Sequence, residues 1–378
     1  MLVIGSLKTT MQRSKKYRKS LVFAVTNDLV YDQRMIRICT SLQANSYNVL
    51  LVGRRMKQSP PLSSQIYHQK RLHCFSEKGK WFYIEYNLRL FIFLLFQKCD
   101  LICAIDLDTI LPCYLASILR RKKRVYDAHE LFCEMKEVVT RPPIYRFWKR
   151  IEKFAVPRFE YGYTVNDPIR KIFEEEYKVN YETIMNVAVL NIGNVPVREN
   201  FLIYQGAVNH GRSFETLIPA FQWIDYPLRV YGDGNFVDEC RETIEKFQLE
   251  TKVILKGKVA PQELKSITSK AVFGVNLIEN NGLNNYYSLS NRFFDYIHAA
   301  IPQICVDYPA YKEINDQFEV AVLISDLTPQ SIANAINSLL SNVALQDKLR
   351  DNCRKARLVY NWQNEEKKLV QFYQRILD

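Results

Sequence analysis

The chain has 378 residues, of which 48% are hydrophobic and 24% charged, and a formal net charge of +12. This length is more than one hydrophobic core usually serves, so two domains are expected, and the composition excludes a disordered chain. Residues 1–180 carry 32 Lys and Arg against 17 Asp and Glu, whereas the remaining residues carry 20 against 23. An anionic partner for the first half, or simply a solvated basic face, would account for this uneven charge.

The first half alternates predicted strands and helices. Strands are predicted at residues 21–25, 48–53, 101–105 and 124–126, and helices at 33–44, with Asp32 as N-cap, and at 109–119. This order is typical of a parallel sheet covered by helices. Residues 1–20 are expected to form a mobile basic tail, because the apolar run after them is too short for a signal peptide. The apolar stretch 81–96 falls short of the ~20 residues of a transmembrane helix, so a buried or interfacial helix is expected.

The same alternation restarts in the second half. Strands are predicted at residues 201–204, 228–231, 252–255, 271–277 and 303–306, and helices at 215–224, 262–269, 290–300 and 362–377. Turn-forming residues at 186–199 mark the boundary. The predicted organisation is therefore a tail (1–20), a first domain (21–188), a second domain (189–361) and a closing helix (362–378).

Nine cysteines occur and none form a CxxC pair. They are predicted to be reduced, buried thiols of a cytosolic protein, and neither disulfides nor a zinc site.

Several short segments, taken in order, resemble the retaining glycosyltransferases of family 4. They are residues 26–28 with 32–34, 104–109, 126–132, 204–208 through 211–213, 230–234 and 287–296. The resemblance implies an α/β protein of the GT-B fold. In that fold two Rossmann-like domains face each other across a cleft, the first binding the acceptor and the second the nucleotide sugar. The closing helix is expected to cross back to the first domain.

A nucleotide-sugar donor carries a diphosphate whose negative charge grows as the bond to the sugar breaks. Cations and the N–H groups at a helix start stabilise such charge, and residues 288–291 lie directly before a predicted helix. The predicted donor-binding residues are Gly206, Gly232, Tyr287, Ser288, Leu289, Ser290, Asn291 and Asp295. The resemblance implies that Asp295 bonds the ribose, where the family usually has Glu.

Three residues are candidates for catalysis, and the resemblance implies two of them. Arg212 stands where the family has a Lys that reaches the diphosphate, and His129 stands where a His contacts the donor sugar or the acceptor. Glu279 is the candidate to replace a family Glu that is absent at Tyr287. Many relatives have a further Arg where this chain has Ala207, and Arg292 could compensate or could be a surface residue.

The first half supplies the candidate acceptor-side residues. They are Asp32, Arg34, Asp106, Asp108 and Glu130. Asp106 and Asp108 also match the metal-binding DxD pattern, which belongs to a different fold, and capping of the next helix is expected to explain at least one of them. No metal and no cofactor are expected.

The resemblance implies metal-independent sugar transfer, with retention, to a saccharide or lipid-linked saccharide acceptor. The five cations of residues 120–124, and the basic and aromatic residues of 141–158, suit an anionic membrane surface. A cytoplasmic protein at the inner face of the membrane is therefore expected, and nucleic acid is not expected as a partner. Two alternatives are a sugar-nucleotide epimerase of the same fold and a non-catalytic basic protein that binds nucleic acid or membrane.

Overall fold

Residues 19–30, 32–193 and 197–377 are described by a computed structural model. The predicted basic tail up to residue 18, and residues 194–196 of the predicted boundary segment, lie outside the described residues.

The first half of the chain forms a seven-stranded sheet with its covering helices. The elements are β1 (Ser20–Ala24), α1 (Gln33–Ala44), β2 (Asn48–Arg55), β3 (His68–His73), α2 (Gly79–Phe96), β4 (Leu101–Ile105), α3 (Ile110–Leu119), β5 (Lys123–Ala128), α4 (Lys136–Val139), α5 (Pro142–Ala155), β6 (Tyr161–Thr164), α6 (Asp167–Tyr177) and β7 (Glu182–Thr183). The strand order is β3-β2-β1-β4-β5-β6-β7. β1 runs parallel to both of its neighbours, β2 and β4.

The second half forms a six-stranded sheet in the order β10-β9-β8-β11-β12-β13. The elements are β8 (Leu202–Gln205), α7 (Phe214–Ala220), β9 (Leu228–Tyr231), α8 (Val237–Lys246), β10 (Val253–Gly257), α9 (Pro261–Thr268), β11 (Gly274–Asn276), α10 (Leu283–Tyr287), α11 (Asn291–His298), β12 (Gln303–Val306), α12 (Pro309–Phe318), β13 (Ala321–Ile324), α13 (Pro329–Ser341), α14 (Val343–Val359) and α15 (Trp362–Leu377). All the paired strands in this sheet run parallel. The predicted α/β architecture is confirmed.

Local sequence explains where these helices begin and which face they bury. α1 starts at the predicted residue because the Asp32 carboxylate accepts a hydrogen bond from the Met35 N–H at 3.0 Å. The buried face of this helix carries Met35, Ile38, Cys39 and Leu42. Apolar residues at helical spacing thus hold α1 against the sheet.

The chain divides into two compact units. One contains the described residues up to Ala104, then Leu111–Val125 and the end of the chain from Tyr373, and the other contains Ile105–Ile110 and Tyr126–Phe372. α15 therefore contributes residues to each unit. Its N-terminal part belongs to the second unit, where the Trp362 N–H donates to the Ala188 carbonyl at 2.9 Å.

Helices α2 and α3 of the first unit expose an unusual amount of apolar surface. α2 presents Trp81, Ile84, Leu88, Ile92 and Phe96 to solvent, and Trp81 and Phe96 are 65% and 83% exposed. The end of α3 adds the exposed Leu115, Ile118 and Leu119. In the described part of the chain, no helix is both long enough and apolar enough to cross a membrane.

All nine cysteines are free and buried, as predicted.

Candidate active site

The floor of the site lies where two parallel strands of the second sheet end. Gly206 follows β8 and Gly232 follows β9, and the Gly206 N–H donates to the Tyr231 carbonyl at 2.9 Å. A Cβ atom at Gly232 would lie 1.8 Å from the Gly206 carbonyl oxygen, so only glycine fits there. Gly206 lines a cavity of about 480 Å³, whereas Gly232 does not line it.

One side of the cavity, here called the cation wall, consists of Arg212, Arg292 and the start of α11. Arg292 is only 7% exposed and stacks on the Tyr204 ring at 4.3 Å. Its Nη1 atom has no hydrogen-bond partner. Burial and the nearby charge of Arg292 lower the pKa of Arg212. Within the described residues neither arginine forms a salt bridge, so two desolvated cations face one cavity without a directly paired anion.

The start of α11 adds backbone donors to this wall. The side chains before it are already engaged, because the Ser288 hydroxyl donates to the Asn285 carbonyl and the Ser290 hydroxyl donates to Asn276 Oδ1, both at 2.9 Å. Ser290 makes no side-chain capping bond. The first N–H groups of the helix, those of Asn291 and Arg292, have no acceptor in the described part of the chain. A helix start of this kind favours an anion.

Asp295 lies one helical turn further and also lines the cavity, on the same side as Asn291, as predicted. Its Oδ2 atom accepts a hydrogen bond from Gln205 Nε2 at 2.9 Å. Gln205 is itself held by the Thr268 hydroxyl, which donates to Gln205 Oε1 at 2.5 Å. Gln205 is not among the predicted site residues, although it directly follows a predicted strand and precedes Gly206.

A second group of residues, here called the histidine wall, consists of His129 and Glu130, which line the cavity, and of Asp106 and Asp127, which contact His129. His129 Nε2 lies 3.0 Å from Asp127 Oδ2, and Nδ1 lies 3.5 Å from Asp106 Oδ2. The His129 backbone N–H also donates to Asp106 Oδ1 at 2.9 Å. Both ring nitrogens thus face carboxyl groups, which orients the ring before any substrate binds.

Asp106 occupies a strained position in this wall. Its φ of +55° is rare for a residue with a side chain and costs about 1–3 kcal/mol. Burial raises the pKa of Asp106 to about 8, His129 opposes this, and the charges of Glu130 and Asp108 add to it. Asp106 does not supply the expected helix cap, because its carboxyl makes no capping bond and accepts a hydrogen bond from the His129 N–H instead.

Glu130 lines the cavity beside His129. Burial raises the pKa of Glu130, whereas a hydrogen bond from Asn284 and the charges of His129 and Arg212 lower it. The Asn284 Nδ2 atom donates to Glu130 Oε2 at 3.2 Å.

Glu279 does not line this cavity. It lines a second cavity of about 570 Å³. Its N–H donates to the Gly211 carbonyl at 3.0 Å, next to Arg212. Burial and the neighbouring Glu215 raise the pKa of Glu279. Tyr287 is also absent from the lining of the first cavity, although its carbonyl accepts a hydrogen bond from Asn166 Nδ2 at 2.8 Å.

The remaining predicted acceptor-side residues do not line either cavity. Asp32 caps α1, Arg34 is buried in that helix, and Asp108 is buried after β4. Among the described residues, no group of His, Cys, Asp and Glu side chains is arranged to hold a metal ion.

Residues 190–356, which contain the cation wall, match the family model described as Glycosyl transferases group 1. The match covers less than half of the chain and confirms that this part resembles that family, as the sequence indicated. The fold of the chain is that of the GT-B class. No curated protein matches the chain significantly.

Three solved structures illustrate the fold. Sucrose-phosphate synthase from Thermosynechococcus elongatus is 14% identical, with a TM-score of 0.77 over 95% of this chain and 99% of that chain. HepE from Anabaena, in complex with UDP and glucose, is 12% identical, with a TM-score of 0.73 over 94% and 100% of the two chains. WaaG, a glycosyltransferase involved in lipopolysaccharide biosynthesis, is 14% identical, with a TM-score of 0.71 over 92% and 98%. At these identities the likeness shows the fold.

Proposed function

We propose that the protein transfers a sugar from a nucleotide-sugar donor to a saccharide acceptor, with retention of the anomeric configuration and without a metal ion. The observation that carries the proposal is the cation wall. Arg212 and the buried Arg292 line one cavity with no carboxylate partner in the described structure. A diphosphate would neutralise both cations, and it would accept hydrogen bonds from the start of α11.

This wall would act mainly in the transition state. The diphosphate gains charge as the bond to the sugar breaks, so fixed cations stabilise the transition state more than the bound donor. These cations would do the work that a metal ion does in other transferases. The departing phosphate oxygen would then take the proton of the acceptor hydroxyl, which attacks from the same face of the sugar and so retains the configuration.

The nucleoside would lie beside Asp295, whose carboxylate is held by Gln205 and would accept hydrogen bonds from the ribose hydroxyls. HepE, one of the proteins that share this fold, has been solved with UDP and with UDP-glucose. A uridine diphosphate sugar is therefore the first donor to test.

We further propose a lipid-linked acceptor at the inner face of the cytoplasmic membrane. Support comes from the exposed apolar residues of α2 and α3, which border the cationic residues 120–124. α5 adds exposed apolar residues, Phe147 and Phe154, among its arginines and lysines. Apolar side chains with cations beside them suit insertion into an anionic lipid surface.

A thermal-shift screen against nucleotide sugars tests the donor proposal. A ligand that binds only the folded protein raises Tm, so we expect one base and one sugar to stand out. No shift with any nucleotide sugar, together with salt-sensitive binding of DNA or RNA, would favour the non-catalytic alternative. Epimerisation of the donor in the absence of an acceptor would favour the epimerase.

Sedimentation with lipid vesicles tests the membrane proposal. The protein should bind vesicles that contain anionic lipid, and the triple variant Trp81→Ser, Ile84→Ser, Leu88→Ser should bind them less while keeping its Tm. Equal binding of both proteins would contradict a membrane role for α2.

A further inference from the structure

Asn284 connects the segment after β5 to the segment that leads into α11. Its Nδ2 atom donates to Glu130 Oε2 at 3.2 Å, and its Oδ1 atom accepts the Leu131 N–H at 2.9 Å. The amide nitrogen and the amide oxygen of Asn284 therefore form hydrogen bonds with two consecutive residues, Glu130 and Leu131. Such a two-point contact restricts the Glu130 carboxyl to one orientation.

Only one oxygen of Glu130 is occupied in this way. Oε1 makes no hydrogen bond to any residue that the structure describes, although the side chain is partly buried and lines the cavity. Oε1 is not among the fully buried unpaired atoms of the described residues, so it can be reached from the cavity and can accept a hydrogen bond from a ligand hydroxyl. The free oxygen thus marks a position for a hydroxyl group of the substrate.

The position of Glu130 indicates which part of the substrate that hydroxyl belongs to. Of the two carboxyl groups in the cavity, Asp295 is tied to Gln205, whereas Glu130 lies near enough to Arg212 for each charge to affect the other. In the proposed donor site the diphosphate lies at Arg212 and the ribose at Asp295. Glu130 then lies on the side of the diphosphate that carries the transferred sugar.

We propose that Glu130 binds a hydroxyl of the transferred sugar through Oε1, and that Asn284 is the positioning residue that holds its carboxyl group in place. The inference rests on the proposed donor site. Glu130 would then be a residue that selects the donor sugar, and its predicted place on the acceptor side would be wrong.

Binding of a nucleoside diphosphate, compared with binding of the corresponding nucleotide sugar, tests the role of Glu130. We would measure both by calorimetry, beginning with UDP and UDP-glucose and extending to the ADP, GDP and TDP pairs. Glu130→Gln and Asn284→Ala should weaken binding of the nucleotide sugar roughly tenfold or more, the effect of losing a hydrogen bond to a charged group. Affinity for the nucleoside diphosphate should change less than threefold.

An exchange of the two side chains tests the pairing. Asn284→Asp alone places two carboxyl groups side by side and should lower Tm. In the double variant Glu130→Gln, Asn284→Asp, the new amide at position 130 can donate to the new carboxylate at position 284, so Tm should recover. Sugar binding should remain weak in the double variant, because the free carboxyl oxygen is no longer at position 130.

Three results would overturn the inference. They are equal loss of affinity for the nucleoside diphosphate and the nucleotide sugar, unchanged sugar binding by Glu130→Gln, and additive losses of Tm in the double variant. Glu250→Gln and Asn334→Asp, at two exposed positions outside both cavities, serve as controls and should change neither Tm nor binding. If wild-type protein binds no nucleotide at all, the proposed function fails as well, whereas normal binding of nucleoside diphosphates with unchanged sugar affinity refutes this inference alone.

Discussion

The cation wall and the histidine wall face the same cavity, yet their charged groups are satisfied in opposite ways. Arg212 and Arg292 have no carboxylate partner in the described structure, whereas both nitrogens of His129 already face carboxyl groups. The arginines of the cation wall therefore lack a counter-ion until an anion binds. The His129 ring of the histidine wall is held in its orientation before any substrate binds. A site of this kind separates the stabilisation of charge from the orientation of the sugar.

The largest expected effect is on the cation wall. Arg212→Ala should lower kcat by about 10²–10³-fold, because it removes a cation that acts mainly in the transition state. Tm should stay equal or rise, since the variant also removes a desolvated charge next to Arg292. Steady-state turnover and thermal melting check both points.

Arg241→Ala is the matched control for that variant, because Arg241 is exposed and its salt bridge among the described residues is with Asp238 on the same helix. Unchanged turnover in Arg212→Ala would contradict the assignment of the cation wall.

A substitution in the histidine wall is expected to lower kcat less than one in the cation wall. His129→Ala should lower kcat by roughly 10²-fold, the loss that follows when a reacting group is displaced by about 1 Å, while nucleoside diphosphate affinity stays within about threefold. His210→Ala, which alters a half-exposed histidine outside the cavity, should behave like wild type. If His129→Ala abolished nucleoside diphosphate binding, the assignment of diphosphate binding to the cation wall and of sugar orientation to the histidine wall would be wrong.

Substitutions at the ribose end of the site should reduce activity less than those in the two walls. Asp295→Ala should raise the KM for the donor by roughly tenfold with little change in kcat, because it removes ground-state and transition-state binding equally. Gln205→Leu should have a smaller effect of the same kind, since Gln205 acts through Asp295. A fall in kcat with unchanged KM would instead place Asp295 at the reacting bond.

The smallest effect concerns stability and pH. The folded-state pKa of Asp106 is raised above its ordinary value of 3.8 to about 8. The native state therefore holds a proton that the unfolded state releases, and stability falls as pH rises through this window, by at most about 1.4 kcal/mol per pH unit. Asp106→Asn keeps an oxygen for the His129 N–H and removes the titration.

We accordingly expect the free energy of unfolding of Asp106→Asn, relative to wild type, to increase between pH 5 and pH 8. Urea denaturation at several pH values measures it. A difference that is constant with pH would show that Asp106 does not hold the proton.

Much of the fold was predictable because local patterns determine it. α1 and α15 were predicted with the bounds they have, since a capping residue or a clear apolar stripe marks each. β3 was missed, because His68–His73 is a polar strand at the edge of the sheet and shows no apolar alternation. The strand predicted at 271–277 is shorter, Gly274–Asn276.

The site was predictable only where residues follow one another along the chain. The entrance to α11 and Asp295 belong to one short segment, and the structure brings them to one cavity. The contact of Asn284 with Glu130 joins residues 154 positions apart, and no pattern in a single sequence shows it. Glu279 was predicted to contact the donor sugar because of its residue type alone. In the structure it lines a different cavity.

The nine buried cysteines have a practical consequence. Burial raises the pKa of Cys39, Cys305 and Cys353 above that of an ordinary thiol, and the thiolate is the form that reacts with maleimides. The native thiols should therefore be slow to take up a fluorophore. One added surface cysteine in each compact unit would then accept dyes selectively, so that distances within the working enzyme can be followed by energy transfer without first removing the natural cysteines.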